Sequence, residues 1–156
     1  MSTTPRADPA IYAKLRERAL EFRLEDKSPD TVQAVLMDWH TGNGTLSVVA
    51  AVDGSASIYL SSGGGFIGGG QRYTELRRLA VDSVELARQG LARFEMTTST
   101  ELPPEGEVFF YANTGAGIRY ARASEIALLN GTSRLASLGN AMQEIVTAYQ
   151  LVYNRR

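Results

Sequence analysis

The dipeptides Asn43-Gly44 and Asp53-Gly54 constrain this chain more than any other feature. Asn or Asp followed by Gly tolerates the positive φ of the tight turn whose twist matches two antiparallel strands, so each dipeptide predicts a hairpin. The flanking residues agree. Val32, Val35, Leu36, Met37 and Trp39 make residues 31 to 39 a nearly continuous apolar run, the pattern of a central strand covered on both faces. Thr45 to Val52 returns from the first turn and Ala56 to Leu60 from the second, so the three segments form a meander.

Helical spacing appears on either side of it. Asp8 caps a helix that Pro9 opens, because proline at the first helical position loses no hydrogen bond, and Ile11, Leu15, Ala19 and Phe22 form its buried stripe. Between residues 72 and 94, Leu76, Leu79, Ala80, Ser83, Ala87, Gly90 and Phe94 share one face of a second helix. Pro103-Pro104 makes Thr97 to Gly106 an irregular connection. Val108 to Ala112 and Ile118 to Arg122 then read as a hairpin around residues 113 to 117. Ser124 caps a short helix interrupted at Asn130-Gly131, and Leu135, Leu138, Met142, Ile145, Val146, Tyr149 and Tyr153 give a long last helix. The expected fold is α+β: a five-stranded antiparallel sheet with helices, in the order α-β-β-β-α-β-β-α, as a single domain over residues 1–156 with 1–8 a flexible tail.

Composition narrows the chemistry. Sixteen basic against seventeen acidic residues leave a net charge of −1, so no global field favours nucleic acid or an anionic membrane, and neither is expected as a partner. The chain has no cysteine, which excludes disulfides, thiol nucleophiles and cysteine-ligated metals, and one histidine makes a transition-metal site unpromising. No metal and no cofactor are expected. Met1 to Asp8 carries no apolar signal core and no run approaches the roughly 20 apolar residues of a membrane span, so a cytoplasmic protein is expected.

Two groups of residues stand out as candidate ligand sites. The run Gly63, Gly64, Gly65, Phe66, Ile67, Gly68, Gly69, Gly70 joins a strand to a helix start, where free amides and Arg72 would suit an anion or a nucleotide. It lacks the lysine followed by Ser or Thr of a phosphate-binding loop, and glycines there equally serve turns and close packing, with Phe66 and Ile67 as an apolar plug. Asp38 and His40, two apart on a strand, share a face beside Asn43 and make a carboxylate-imidazole pair for acid-base work, although no third member of a triad presents itself and no catalytic residue is assigned. In the meander the 38 to 44 tip and the 61 to 71 loop fall at one end of the sheet. A helix running back from that loop would bring the 113 to 117 hairpin there too.

The order of elements in a small cysteine-free chain resembles that of class I type III secretion chaperones over residues 9 to 154, with no sequence motif in common. The resemblance implies a homodimer that holds an extended segment of a partner protein without catalysis. Large apolar groups on both faces of Val108 to Tyr111 and around Tyr149 to Tyr153 also fit either helices on both sides of the sheet or self-association. The expectation is therefore a non-enzymatic binding or scaffold protein, homo-oligomeric and with a protein partner. The alternative is a small-ligand domain using the 63–70 loop, and a hydrolase built on Asp38 and His40 comes third.

Overall fold

A computed structural model describes residues 9–21, 31–42, 44–67 and 69–154 of the 156-residue chain. The meander is present as β1 (Val32–Thr41), β2 (Gly44–Ala51) and β3 (Ala56–Leu60), with Thr41 paired to Gly44 across the first turn. A short β4 (Gly65–Phe66) precedes helix α2 (Thr74–Gln89), and a second short strand, β5 (Glu95–Met96), follows it. The second hairpin is β6 (Glu107–Thr114) and β7 (Gly117–Ser124), and the chain closes with α3 (Glu125–Leu129) and α4 (Ala136–Asn154). Helix α1 (Pro9–Glu21) opens the described part, and the Asp8 cap and the 1–8 tail lie outside it.

The fold is α+β with one antiparallel sheet, but the sheet has seven strands, in the order β4-β3-β2-β1-β6-β7-β5, and not five. Both additional strands are two residues long and sit at the sheet's edges. Gly65-Phe66 pairs because Gly65 has no side chain: a Cβ there would collide with the Ile58 carbonyl, and its φ of 151° lies in the region glycine favours.

Alternation along β1 assigns the two faces. Val35, Met37 and Trp39 join Val48, Ile58, Val108 and Phe110 in a core covered by α2 and α4, through Leu76, Leu79, Val84, Met142, Ile145 and Tyr149. Leu36 joins Val49, Tyr59, Phe109 and Tyr111 on the opposite face, covered by Tyr12 and Leu20 of α1. The α1 stripe is thus Tyr12, Arg16 and Leu20, with Leu15 and Ala19 beside it and Ile11 exposed, one residue or about 100° around the helix from the Ile11-Leu15-Ala19 face. Its cause is the sheet: the face that α1 covers carries Asp38 and Ser47, so polar side chains of α1 turn inward to meet them.

Tyr149 ties the glycine-rich segment to this core. Its ring stacks on Phe66 at 5.2 Å, its hydroxyl accepts from the Gly69 amide at 2.6 Å and donates to the Ala56 carbonyl. At the other end of the sheet, Trp39 Nε1 donates to Glu125 Oε1 at 2.6 Å and Ser124 Oγ accepts from the Ala127 amide at 3.1 Å, fixing α3 on the end of β1. No helix among the described residues is long and apolar enough to cross a membrane.

Candidate functional site

The structure encloses Asp38 in a buried network of hydrogen bonds. Its side chain is completely buried between β1, β2 and α1. Arg16 Nε and Nη2 both donate to Oδ2, at 3.0 and 2.6 Å, and Ser47 Oγ donates to Oδ1 at 2.5 Å. The Ser47 hydroxyl has one proton, already given to Asp38, so the Tyr12 hydroxyl is the donor in the 2.7 Å bond between them. The Arg16 guanidinium also lies 5.5 Å from the Tyr111 ring centroid, and Tyr111 OH donates to the Glu101 carbonyl at 2.5 Å. Burial pushes the Asp38 carboxyl above its ordinary range, against the pull of Arg16 and Ser47. Burial likewise raises the phenols of Tyr12 and Tyr111 to about 12. This is a closed ion-pair network in which both Asp38 oxygens are engaged.

His40 shares the Asp38 face but not its network. It lies opposite Thr45 near the β1 end, half-buried, with Nδ1 shielded from solvent and lacking a hydrogen-bond partner. No hydrogen bond joins it to Asp38, whose oxygens are held by Arg16 and Ser47. Among the described residues no three His, Asp or Glu side chains come together as metal ligands. Asn43 lies outside the described residues, as does Gly68.

The glycine-rich segment does not gather into one anion cradle, because β4 carries it along the sheet. Gly63 and Gly64 turn beside the 41 to 44 tip, where Ser61 Oγ accepts from the Thr45 amide at 2.8 Å. Gly69 and Gly70 are at the opposite end: a Cβ on Gly70 would collide with the Gly54 carbonyl, and one on Gly69 with the Tyr149 ring. The Gly63 amide donates to the Leu60 carbonyl, and those of Arg72 and Tyr73 to the Gly69 carbonyl. Arg72 lies 5.4 Å from the centroid of its neighbour Tyr73. Helix α2 therefore starts at the 52 to 55 end, far from His40. The expected convergence of three loops fails for the same reason: Trp39 pairs with Val108 and Val32 with Thr114, so the turn between β6 and β7 is at the end opposite the 41 to 44 tip.

The open polar site lies elsewhere, along the outer edge of β7. Strand β5 pairs only with Arg119 and Tyr120, and the Thr97 amide reaches the Ile118 carbonyl. Before Glu95 the chain leaves the edge, since the Phe94 amide turns back to the Leu91 carbonyl. An open cleft of about 840 Å³ remains, with Arg93, Arg122 and Arg134 around it, Glu95 on its rim, and the buried Phe94 and Leu135 at its base. A second hollow of about 300 Å³ adjoins it and shares Arg93 and Arg134. All three arginines are exposed, and none is within ion-pair distance of a carboxylate among the described residues. The carboxylates of α2, in contrast, are paired along their own helix: Glu75 and Asp82 with Arg78, Glu85 with Arg88. Burial raises the Tyr120 phenol above its ordinary value, with Arg122 pulling the other way. Sequence reasoning missed this site, for the arginines come from three separate segments that meet only in the tertiary fold.

The chain matches no protein-family model, no curated protein and no solved structure.

Proposed function

We propose that this chain is a non-enzymatic binding protein whose ligand site is the arginine-lined cleft at the β7 edge. One observation carries the reading: Arg93, Arg122 and Arg134 line an open cleft without carboxylate partners among the described residues, giving two net positive charges once Glu95 is counted. Guanidinium groups without carboxylate partners around a concave site suit carboxylate or phosphate, which they hold through paired N–H donors. The two sites read from sequence offer less. Asp38 is locked by Arg16, and several glycine-loop amides are already bonded within the protein.

The test is binding of fluorescent poly-L-glutamate to the wild type and to the triple variant Arg93→Gln/Arg122→Gln/Arg134→Gln, followed by anisotropy. All three side chains are exposed, so the variant keeps its fold. The expected outcome is binding that weakens with salt and falls at least about tenfold in the variant, or ~1.4 kcal/mol. Equal binding by both proteins, or none by either, contradicts the assignment.

Self-association is part of the same proposal. Leu151, 55 % exposed, stands with Val152 and Ala148 over a hollow of about 330 Å³ between α2 and α4, the apolar surface that a second copy would cover.

A further inference from the structure

We infer that the cleft takes an extended acidic segment of a polypeptide, added to β7 as a further antiparallel strand; this rests on the reading that the cleft is the ligand site. Hydrogen-bonding direction alternates along an antiparallel strand. Gly117, opposite Thr114 across the β6–β7 turn, faces β6, and the Ile118 carbonyl faces outward to the Thr97 amide. The same alternation turns the backbone of Tyr120 out to Glu95, its β5 partner, and turns the backbone of Arg122 out as well. Past Glu95 no described residue pairs there, and among the described residues the Arg122 N–H and C=O have no hydrogen-bond partner. Both open into the cleft. An edge that already accepts one short strand therefore presents one more donor-acceptor pair in the same line, with three guanidinium groups around it.

That geometry specifies the occupant. In the hydrogen-bonded pair, the segment's residue opposite Arg122 exchanges both backbone bonds with it and projects its side chain to the same face as Arg122 and Tyr120, where a carboxylate is favoured across from the guanidinium. The residues before and after it project to the other face, that of Ala121 and Ala123, over the apolar base formed by Phe94 and Leu135. The recognised pattern alternates acidic with apolar residues. Main-chain bonds supply affinity and the alternating side chains supply specificity, as in other strand additions to an open sheet edge. A compact anion would use the arginines but would leave the Arg122 backbone and the apolar base unoccupied.

The probe is acetyl-Glu-Val-Glu-Val-Glu-amide, with two analogues N-methylated either at the Glu amides or at the Val amides. Inorganic pyrophosphate and a thymidine oligonucleotide serve as other anions. Affinity is read by anisotropy competition against poly-L-glutamate, and the Arg122 amide by hydrogen exchange on isotope-labelled protein. The parent peptide and the Val-methylated one are expected to bind alike. The Glu-methylated one, which has lost the donor facing Arg122, is expected to bind at least about tenfold more weakly. With peptide at about ten times its Kd, Arg122 exchange slows about tenfold, whereas pyrophosphate leaves it unchanged. If all three peptides bind equally and Arg122 exchange is unaltered, strand addition is wrong while the cleft remains an anion site. If the oligonucleotide outcompetes the peptide, the occupant is a nucleic acid and the inference fails. If poly-L-glutamate binds but no probe displaces it, strand addition fails while the cleft remains the ligand site; if poly-L-glutamate itself does not bind, the underlying reading fails with it, and the arginines serve only to keep an open strand edge from pairing with other chains.

Discussion

Replacing Arg16 with Met tests whether Asp38 belongs to the architecture and not to a reaction. Methionine keeps much of the apolar stem that packs beside Tyr111 and removes the two bonds that Arg16 makes to Asp38 Oδ2, at 3.0 and 2.6 Å. The carboxylate, completely buried, is left with Ser47 as its donor. Stranding one member of a buried ion pair costs about 3–5 kcal/mol, a large part of a typical stability of ~5–15 kcal/mol. The ceiling is the cost of neutralising the carboxyl: at pH 8, about four units above an ordinary aspartate value, each unit being worth about 1.36 kcal/mol. The sign follows. The folded-state value of Asp38 already lies above the unfolded one and rises further without the pull of Arg16, so the variant is best placed below the unfolded value and loses more stability than the wild type as pH rises towards the folded value. The deficit relative to wild type, measured by urea unfolding, is expected to be about 3–5 kcal/mol at pH 8 and to shrink to about 1–2 kcal/mol near pH 5. Adding Asp38→Leu recovers most of the loss, because Ser47 and Tyr12 remain bonded to each other. A deficit under about 1 kcal/mol that does not change with pH would refute the docking of α1 on the sheet through this network.

Three further outcomes follow from the same structure. Tyr149→Phe strands the buried Gly69 amide and Ala56 carbonyl and is expected to cost about 2–4 kcal/mol in thermal or urea unfolding; a loss below about 1 kcal/mol would mean the hydroxyl bonds are not formed. The Tyr12 and Tyr111 phenols are raised to about 12, above their unfolded value, so the stability they contribute is complete below about pH 10 and is lost as pH climbs towards 12. Urea midpoints that do not fall between about pH 9.5 and 11.5 would contradict this. Sedimentation velocity is expected to show a concentration-dependent dimer that Leu151→Glu dissociates, and a monomer at every concentration up to about a hundred micromolar would remove self-association from the proposal.

How far the chain could be read without coordinates depended on whether the deciding interaction was local. Asn43-Gly44 and Asp53-Gly54 specify their turns by their own backbone preferences, and Leu76, Leu79, Ala80, Ser83 and Ala87 declare a buried helix face by spacing alone. Gly65-Phe66 and Glu95-Met96 are too short for any periodicity, and they become strands only because β3 and β7 offer edges to them. The small β4 had a large effect, since it carries the chain to the other end of the sheet before α2 begins and so separates Gly63 and Gly64 from Gly70 and Arg72. Asp38 beside His40 suggested acid-base chemistry, whereas its partner is Arg16 from another element, which a pattern scan assigns to the solvent side of α1. Arg93, Arg122 and Arg134 have no pattern in sequence: Arg93 precedes β5, Arg122 lies on β7 and Arg134 joins α3 to α4, and only the tertiary fold sets them around one cleft.

Chemical-shift mapping tests the central claim most directly. Isotope-labelled protein titrated with poly-L-glutamate reports, residue by residue, where an acidic ligand sits. The predicted result is a contiguous set of changes over residues 93 to 95, 120 to 122 and 133 to 135, with Gly63, Gly64, Gly69 and Arg72 unmoved. Changes centred on the glycine-rich segment, or no changes at any residue, would contradict it.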